Sequence, residues 1–437
     1  MVSRSIVFPV IVMFLLVVLI VAFSGNVAQV KSISQINGAD TAWMLTSSAL
    51  VLVMTPGLAF FYGGMVNKKN VISTMLQSFI CMVVITVLWV LVGFSLVFGD
   101  SVIGIFGNPK TYFLMHGVIE GAPWKMAPTI PFVLFAFYQL KFAIIAPALI
   151  TGAFAERIRF KSYIVFIVLF SLFIYCPIAH ATWHPDGILA RFGVLDFAGG
   201  TVVHMSAGWA ALASAIYLKS RNSMTHKPAR ITYVILGTGL LWFGWFGFNA
   251  GSAFGANNIA ATALATTMTC SAAAAFAWII FDAMRGRLPS AMGSCIGAVV
   301  GLVAITPAAG FVSIPHALAI GIVASIISNM MVEWRTRTSV DDTLDVFPCH
   351  GVGGIVGMLL TGVFANRNIN SAVVDNGLLF GEKKLFFIQL IAMIAVSAFC
   401  FGASFILLKV TDLITPLRVT EGEELQGLDL SQHGESL

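Results

Sequence analysis

The length of its uninterrupted apolar runs governs what this chain can fold into. Residues 131–155, 163–183 and 385–408 each reach the ~20 residues that a helix needs to cross ~30 Å of hydrocarbon. None alternates apolar with polar residues at the period of a barrel strand. In lipid every backbone amide must be satisfied within its own segment, so runs of this kind predict helices. Of the 437 residues 58% are hydrophobic and 10% charged, against roughly 25% charged in an ordinary soluble domain, so too little polar surface remains to enclose the runs in water. An all-α polytopic membrane protein follows.

Eleven spans are expected after residue 40: 41–66, 71–99, 130–155, 163–183, 199–218, 231–253, 258–282, 289–306, 314–333, 345–365 and 385–409. An earlier apolar run, 5–23, follows Arg4 and ends at Ala22-Phe23-Ser24. Its short basic start and small-residue ending fit a signal peptide over 1–24, while its length fits an uncleaved extra helix. Either leaves residue 40 on the outside. The connections alternate in basic charge: Lys68, Lys69, Arg157, Arg159, Lys161, Lys219, Arg221, Lys227, Arg230, Arg285, Arg287, Arg335, Arg337, Lys409 and Arg418 share one side. Only Lys31, Lys110, Lys125, Arg191, Arg367, Lys383 and Lys384 share the other. The excess marks the cytoplasm and places a membrane domain over 40–409, with the mature amino terminus outside and the tail 410–437 inside. The net charge of +5 is therefore a matter of topology and no nucleic-acid signature. Six cysteines lie singly in apolar segments without metal or redox spacing, and read as small core residues.

Spans five and ten carry His204 and His350. The step from the fifth span to the tenth is odd, so they cross in opposite directions, the parity of an inverted repeat of five helices. Each histidine is followed by small residues, Ser206-Ala207-Gly208 and Gly351, Gly353 and Gly354, which let helices approach closely. An imidazole within an apolar span is costly unless hydrogen-bonded, and two at matched points of opposed spans suggest a facing pair along a conduit. Two separate helix–helix hydrogen bonds would satisfy them equally. Asp196 precedes His204 by eight residues near the outer entrance, where a carboxylate can cap a helix or draw in a cation. Asp341, Asp342 and Asp345 read as solvated or capping groups at the cytoplasmic side. The aromatic segments 137–142, 180–187 and 242–252 fall at outer ends of spans, where ring faces can hold a cation.

These motifs resemble the ammonium transporter family, the group of ammonium transporters, methylammonium permeases and Rhesus glycoproteins, and its bacterial members most closely. The resemblance runs from about residue 40 to the end. It is carried by FYGGMVNKKN (61–70), ALITGAFAERIRF (148–160), PIAH (177–180), LDFAGGTVVH (195–204), GWFGFNAGSA (244–253), ITPAAGF (305–311), DDTLDVFPCHGVGGIVG (341–357) and GLDLSQHGES (427–436). It implies a homotrimer of eleven-helix protomers in the inner (plasma) membrane, each with its own pore. The family's outer ammonium site falls on Trp183, Phe142 and Ser252, its gate of two stacked phenylalanines on Phe142 and Phe248, its aspartate on Asp196, and its twin histidines on His204 and His350. Gln139 keeps the family's residue type. Ammonium would be recruited from outside, deprotonated, and passed as ammonia through an apolar pore, with net uptake the preferred reading. The alternatives are an ammonium sensor or a neutral gas channel. A cytoplasmic regulator of the PII class is an implied partner. No cofactor, metal, nucleic acid or catalytic activity is implied.

Three positions depart from the pattern. Lys141 stands beside the gate residue Phe142, with a structural or intersubunit role and a change in ion recruitment both open; one residue along a helix is a turn of ~100°, which directs it away from the pore. Tyr138 replaces a phenylalanine. His184-Pro185-Asp186 follows Trp183 and places a titratable ring beside the outer site or in a surface loop.

Overall fold

The computed structural model describes residues 4–23, 35–223 and 227–437. Twelve helices carry the architecture: α1 (Arg4–Phe23), α2 (Gly38–Met65), α3 (Lys68–Phe98), α4 (Phe132–Phe154), α5 (Phe160–Phe192), α6 (Gly200–Leu218), α7 (Ile231–Ala253), α8 (Asn258–Met284), α9 (Ala291–Ile305), α10 (Ile314–Thr336), α11 (Phe347–Phe364) and α12 (Lys384–Ile414). Among the described residues ten of these, α2 to α8 and α10 to α12, are long and apolar enough to cross a membrane.

The expected eighth span is a shorter element than the sequence suggests. Helix α9 has 15 residues, which at 1.5 Å per residue gives about 22 Å against ~30 Å of hydrocarbon. Pro307, which has no N–H to donate and whose ring crowds the preceding turn, ends it at the Thr306 cap. The run 5–23 is helical, and the point expected for its cleavage, residue 24, lies outside the described residues.

Helix α2 begins where the Asn37 side chain accepts the N–H groups of Ala39 and Asp40, and packs along α7. Helices α8, α9 and α10 pack on one another, while α6 is held among α4, α11 and α12. A short hairpin, Ser101–Val102 with Phe106–Gly107, lies in the α3–α4 connection. All six cysteines are free and buried, the core role their scatter suggested.

Four of the long helices contain a wide π-helical turn, at Trp89–Gly93, Ser171–Tyr175, Gly200–Met205 and Phe347–Val352. Such turns re-aim side chains inside an otherwise regular helix. Two of the four hold His204 and His350 and open their respective helices.

The basic connections gather at the opposite end of the bundle from Trp183, and the tail lies across them. Asp429 accepts the N–H groups of Ile72 and Ser73 at 3.1 and 2.7 Å, Lys69 donates to the carbonyls of Glu424 and Leu425, and Glu424 accepts from Asn222 N and Arg418. Beneath it Arg221 joins Asp341 at 2.8 Å and Glu156 at 2.6 Å. Asp341 and Asp342 are fully buried, so the solvated alternative for them is corrected: Asp341 is ion-paired, and Asp342 accepts the N–H of Phe347 at 2.7 Å. Burial pushes the Asp345 carboxyl up to about 7, against the pull of Arg335 at 2.8 Å.

Candidate functional site

Trp183, Phe142 and Ser252 come from α5, α4 and the 3-10 turn Gly251–Ala253 that ends α7, and they meet at a cavity of about 400 Å³. Phe254, Phe197 and Gln139 complete much of its wall, and Asp196 lies in its lining. Phe142 sets its ring edge-on to Trp183 at 5.7 Å and 85°. The Trp183 indole donates to the main-chain oxygen of Asp196 at 3.1 Å, so its N–H is taken and its π face remains for a guest.

Ser252 is oriented by its own helix. Its hydroxyl donates to the Phe248 carbonyl at 2.9 Å, leaving its lone pairs to accept. Tyr138 reinforces this arrangement: its hydroxyl reaches the carbonyls of Gly247 and Phe248 at 3.0 and 2.9 Å and lies 3.3 Å from Ser252 Oγ. A phenylalanine at Tyr138 would leave both carbonyls without that donor. The site thus combines an accepting oxygen with aromatic faces, a combination suited to a small cation that donates hydrogen bonds.

Asp196 does not turn its carboxylate into the cavity. One oxygen accepts from Gly199 N at 2.8 Å and Gly200 N at 2.6 Å, the other from Thr201 N at 2.8 Å and Thr201 Oγ1 at 2.5 Å. It caps α6, whose entry at Gly199 has φ 118°, a left-handed conformation that favours glycine.

Below the cavity Phe142 and Phe248 stack at 4.2 Å and 28°, both buried. His204 follows at 6.0 Å from Phe248, and His204 and His350 face each other with Nδ1 to Nδ1 at 3.4 Å. The two are 1% and 3% exposed. Whichever Nδ1 carries the hydrogen donates to the other, so a neutral pair presents one bare Nε2 and one Nε2–H. His204 Nε2 has no hydrogen-bond partner among the described residues. The helices meet this closely because both are glycine at the crossing: a Cβ on Gly208 would fall 2.2 Å from Gly351 Cα. On the far side His350 borders a constriction of about 10 Å³ with Phe61, Tyr62 and Cys349.

Of the three departures, His184 lies outside this cavity. It stacks on His180 at 4.4 Å and lines a neighbouring pocket with Asp100, Asp186 and Arg191. Lys141 is half-buried and lines neither pocket. Two residues to which the sequence reading assigned no part in the histidine pair stand beside it or its helices. Trp245 is stacked with His204 at 5.3 Å and 18°; it falls in the aromatic segment 242–252, but nothing in the sequence separates it there from the neighbouring rings. Asp342 caps the His350 helix, and the available signal was its distance from that histidine, eight residues, the same as from Asp196 to His204.

A bundle of membrane-length helices with an aromatic cavity, a stacked phenylalanine pair and two facing histidines beneath it defines a multi-pass helical membrane protein with a buried polar pair in its core. Residues 42–437 match the model of the Ammonium Transporter Family, and the chain belongs to that family. It is 45% identical over 404 residues to the ammonium transporter of Aquifex aeolicus, covering 92% of this chain and 94% of that one. To the putative ammonium transporter of Methanothermobacter thermautotrophicus it is 44% identical over 403 residues, covering 92% and 98%. The crystal structure of Candida albicans Mep2 superimposes with a TM-score of 0.85 at 36% identity, covering 92% of this chain and 90% of that one.

Proposed function

We propose that this protein takes up ammonium nitrogen across the plasma membrane by binding ammonium in the Trp183 cavity, releasing one proton there, and passing ammonia between Phe142 and Phe248 to the histidine pair, along which the released proton also travels inward so that one net charge crosses with each ammonia. The single observation that carries the reading is the order of the parts: an accepting hydroxyl under aromatic faces, then a closed aromatic gate, then two hydrogen-bonding imidazoles in an apolar passage. Ammonium has four N–H donors and a removable proton, which a potassium ion of similar size lacks. A bare cation beyond the gate would cost at least several kcal/mol, and ammonia avoids that penalty. The donor and acceptor of the neutral histidine pair match a molecule that itself donates and accepts.

The cavity end is taken as the outside and the basic end as the cytoplasm, on the excess of lysine and arginine there. Counting α9 gives eleven crossings in inverted five-helix halves, supported by the paired wide turns that open α6 and α11. A homotrimer, a PII-class regulator on the cytoplasmic face, and residues 1–24 as a signal peptide belong to the same reading.

The test is reconstitution in liposomes with ammonium-evoked current and internal pH recorded together. Current with uptake is the expected result, and internal alkalinisation without current means that ammonia alone crosses. Current that persists unchanged after His204 and His350 are both replaced by Ala would remove the histidine pair from the proton's path. Neither current nor alkalinisation above protein-free liposomes would overturn the reading.

A further inference from the structure

The end of α9 has a consequence for the histidine pair. Thr306, the cap of that helix, donates its hydroxyl hydrogen to Leu302 O at 2.7 Å and accepts the indole N–H of Trp245 at 2.9 Å, so the hydroxyl has one orientation. Trp245 in turn lies flat on the His204 ring. Thr306 and Trp245 are 0% and 1% exposed, out of reach of bulk solvent, so breaking the bond between them would leave a buried donor or acceptor unmatched. The next residue, Pro307, accepts Phe197 N–H at 3.1 Å and packs against Gly200 at the head of the His204 helix, where a Cβ would meet the proline ring at 2.6 Å. One corner therefore touches both supports of His204: the indole on its face and the first turn of its helix. A helix continued through Thr306 and Pro307 would carry the chain past this level without making the corner.

We propose that Thr306 is a positioning residue for the histidine pair, setting through Trp245 the rotation of the His204 ring and with it the Nδ1 to Nδ1 contact with His350. The inference deepens the proposed function, since it assigns a part of the conduction machinery to a residue remote from the cavity. Its geometry is separate from the ion site, because Thr306 lies nowhere in the lining of the Trp183 cavity.

The experiment uses the full-length protein, labelled with 15N-histidine in liposomes, as wild type, Thr306→Val, Thr306→Ser and Trp245→Phe. Valine keeps the shape and removes the acceptor; serine restores it; phenylalanine keeps a ring over His204 and removes the donor. The expected result is that Thr306→Val and Trp245→Phe shift the nitrogen resonances of the paired imidazoles, while Thr306→Ser matches wild type. The maximal ammonium-evoked rate should fall about tenfold in the first two, with half-saturation unchanged, as for a group displaced from working geometry. The double variant should be no worse than either single one, because both break the same bond. Thr306→Val spectra that superimpose on wild type, equal shifts for Val and Ser, or additive losses in the double variant would each overturn the proposal. Should Thr306→Val fail to fold, the comparison of Trp245→Phe with wild type decides alone. The spectra are read whether or not the protein moves ammonium, so a wild type without transport counts against the proposed function and leaves this inference to the resonances.

Discussion

Asp196 and Asp342 hold equivalent stations: each stands eight residues before its histidine, and each gives carboxylate oxygen to backbone N–H groups at the head of that histidine's helix. The two caps differ in strength. Asp196 accepts the N–H groups of Gly199, Gly200 and Thr201, whereas Asp342 accepts that of Phe347 and its other oxygen has no hydrogen-bond partner among the described residues. A buried N–H left unpaired costs about 1–3 kcal/mol, so Asp196→Ala should lose more than about 3 kcal/mol and Asp342→Ala about 1–3 kcal/mol. Thermal melting of the purified protein, followed by tryptophan fluorescence, checks the order. Equal losses would mean that backbone capping is not the main task of Asp196.

The crossing of the two histidine helices makes a sharper prediction. A Cβ at Gly208 would lie 2.2 Å from both Gly351 Cα and Gly351 N, and a backbone on each side cannot yield as a side chain can. Gly208→Ala should therefore force α6 and α11 apart, costing about 3 kcal/mol or more and breaking the Nδ1 contact. Gly239, within α7, has nothing within 4 Å of its absent Cβ, so Gly239→Ala should be neutral or stabilising by up to about 1 kcal/mol. Folded yield by size-exclusion chromatography separates them. A Gly208→Ala protein as abundant and stable as Gly239→Ala would show that the helices have room to spare.

Particular residues mark how far the sequence could be read. The long apolar runs announced ten of the membrane helices, because in hydrocarbon length and polarity leave few alternatives. The ends of α9 were legible to within two residues, 289–306 against Ala291–Ile305, with Pro307 marking the stop; what the apolar pattern did not convey is that the resulting helix falls short of the hydrocarbon thickness. Parity and small residues allowed the histidines to meet, but the distance between rings depends on the packing of Gly208 on Gly351, a contact between segments 143 positions apart. The direction of the Asp196 carboxylate was undecidable from composition: capping and cation recruitment call for the same residue near the same helix end. Trp245 was visible only as one ring of the segment 242–252, because its role lies in one plane angle and not in its residue type.

Ser252 supplies a test of the ion site that spares the gate. Its lone pairs face the cavity because its hydrogen is committed to Phe248 O. Under the proposed function Ser252→Ala removes one acceptor from bound ammonium, worth about 1–1.5 kcal/mol, so half-saturating ammonium should rise roughly tenfold while the maximal rate changes little. Ser252→Thr, which keeps the hydroxyl, should stay close to wild type. The measurement is the concentration dependence of ammonium-evoked current. Unchanged half-saturation in Ser252→Ala would assign recognition to the aromatic faces alone.

The tail offers a dependence on pH whose sign can be worked out. His433 Nε2 lies 3.2 Å from Ser73 Oγ, and its ring stands edge-on to Phe160 at 4.9 Å. Burial lowers its pKa below the ordinary 6.5, and the nearby carboxylates of Asp429 and Glu435 oppose that shift without cancelling it. A ring that binds a proton less readily when docked than when free contributes docking that is complete above 6.5 and is lost as the pH falls through the lowered value. Glu423, held down first by the Thr420 backbone N–H, adds a loss of the same sign only in the carboxylate range. Asp429, raised by burial, acts in the opposite sense. Hydrogen–deuterium exchange over residues 427–436 should therefore quicken between about pH 7.5 and about pH 5.5 beyond its intrinsic change, and His433→Gln should flatten that excess. An excess that survives in His433→Gln would move the switch from His433 to the carboxylates that hold the tail.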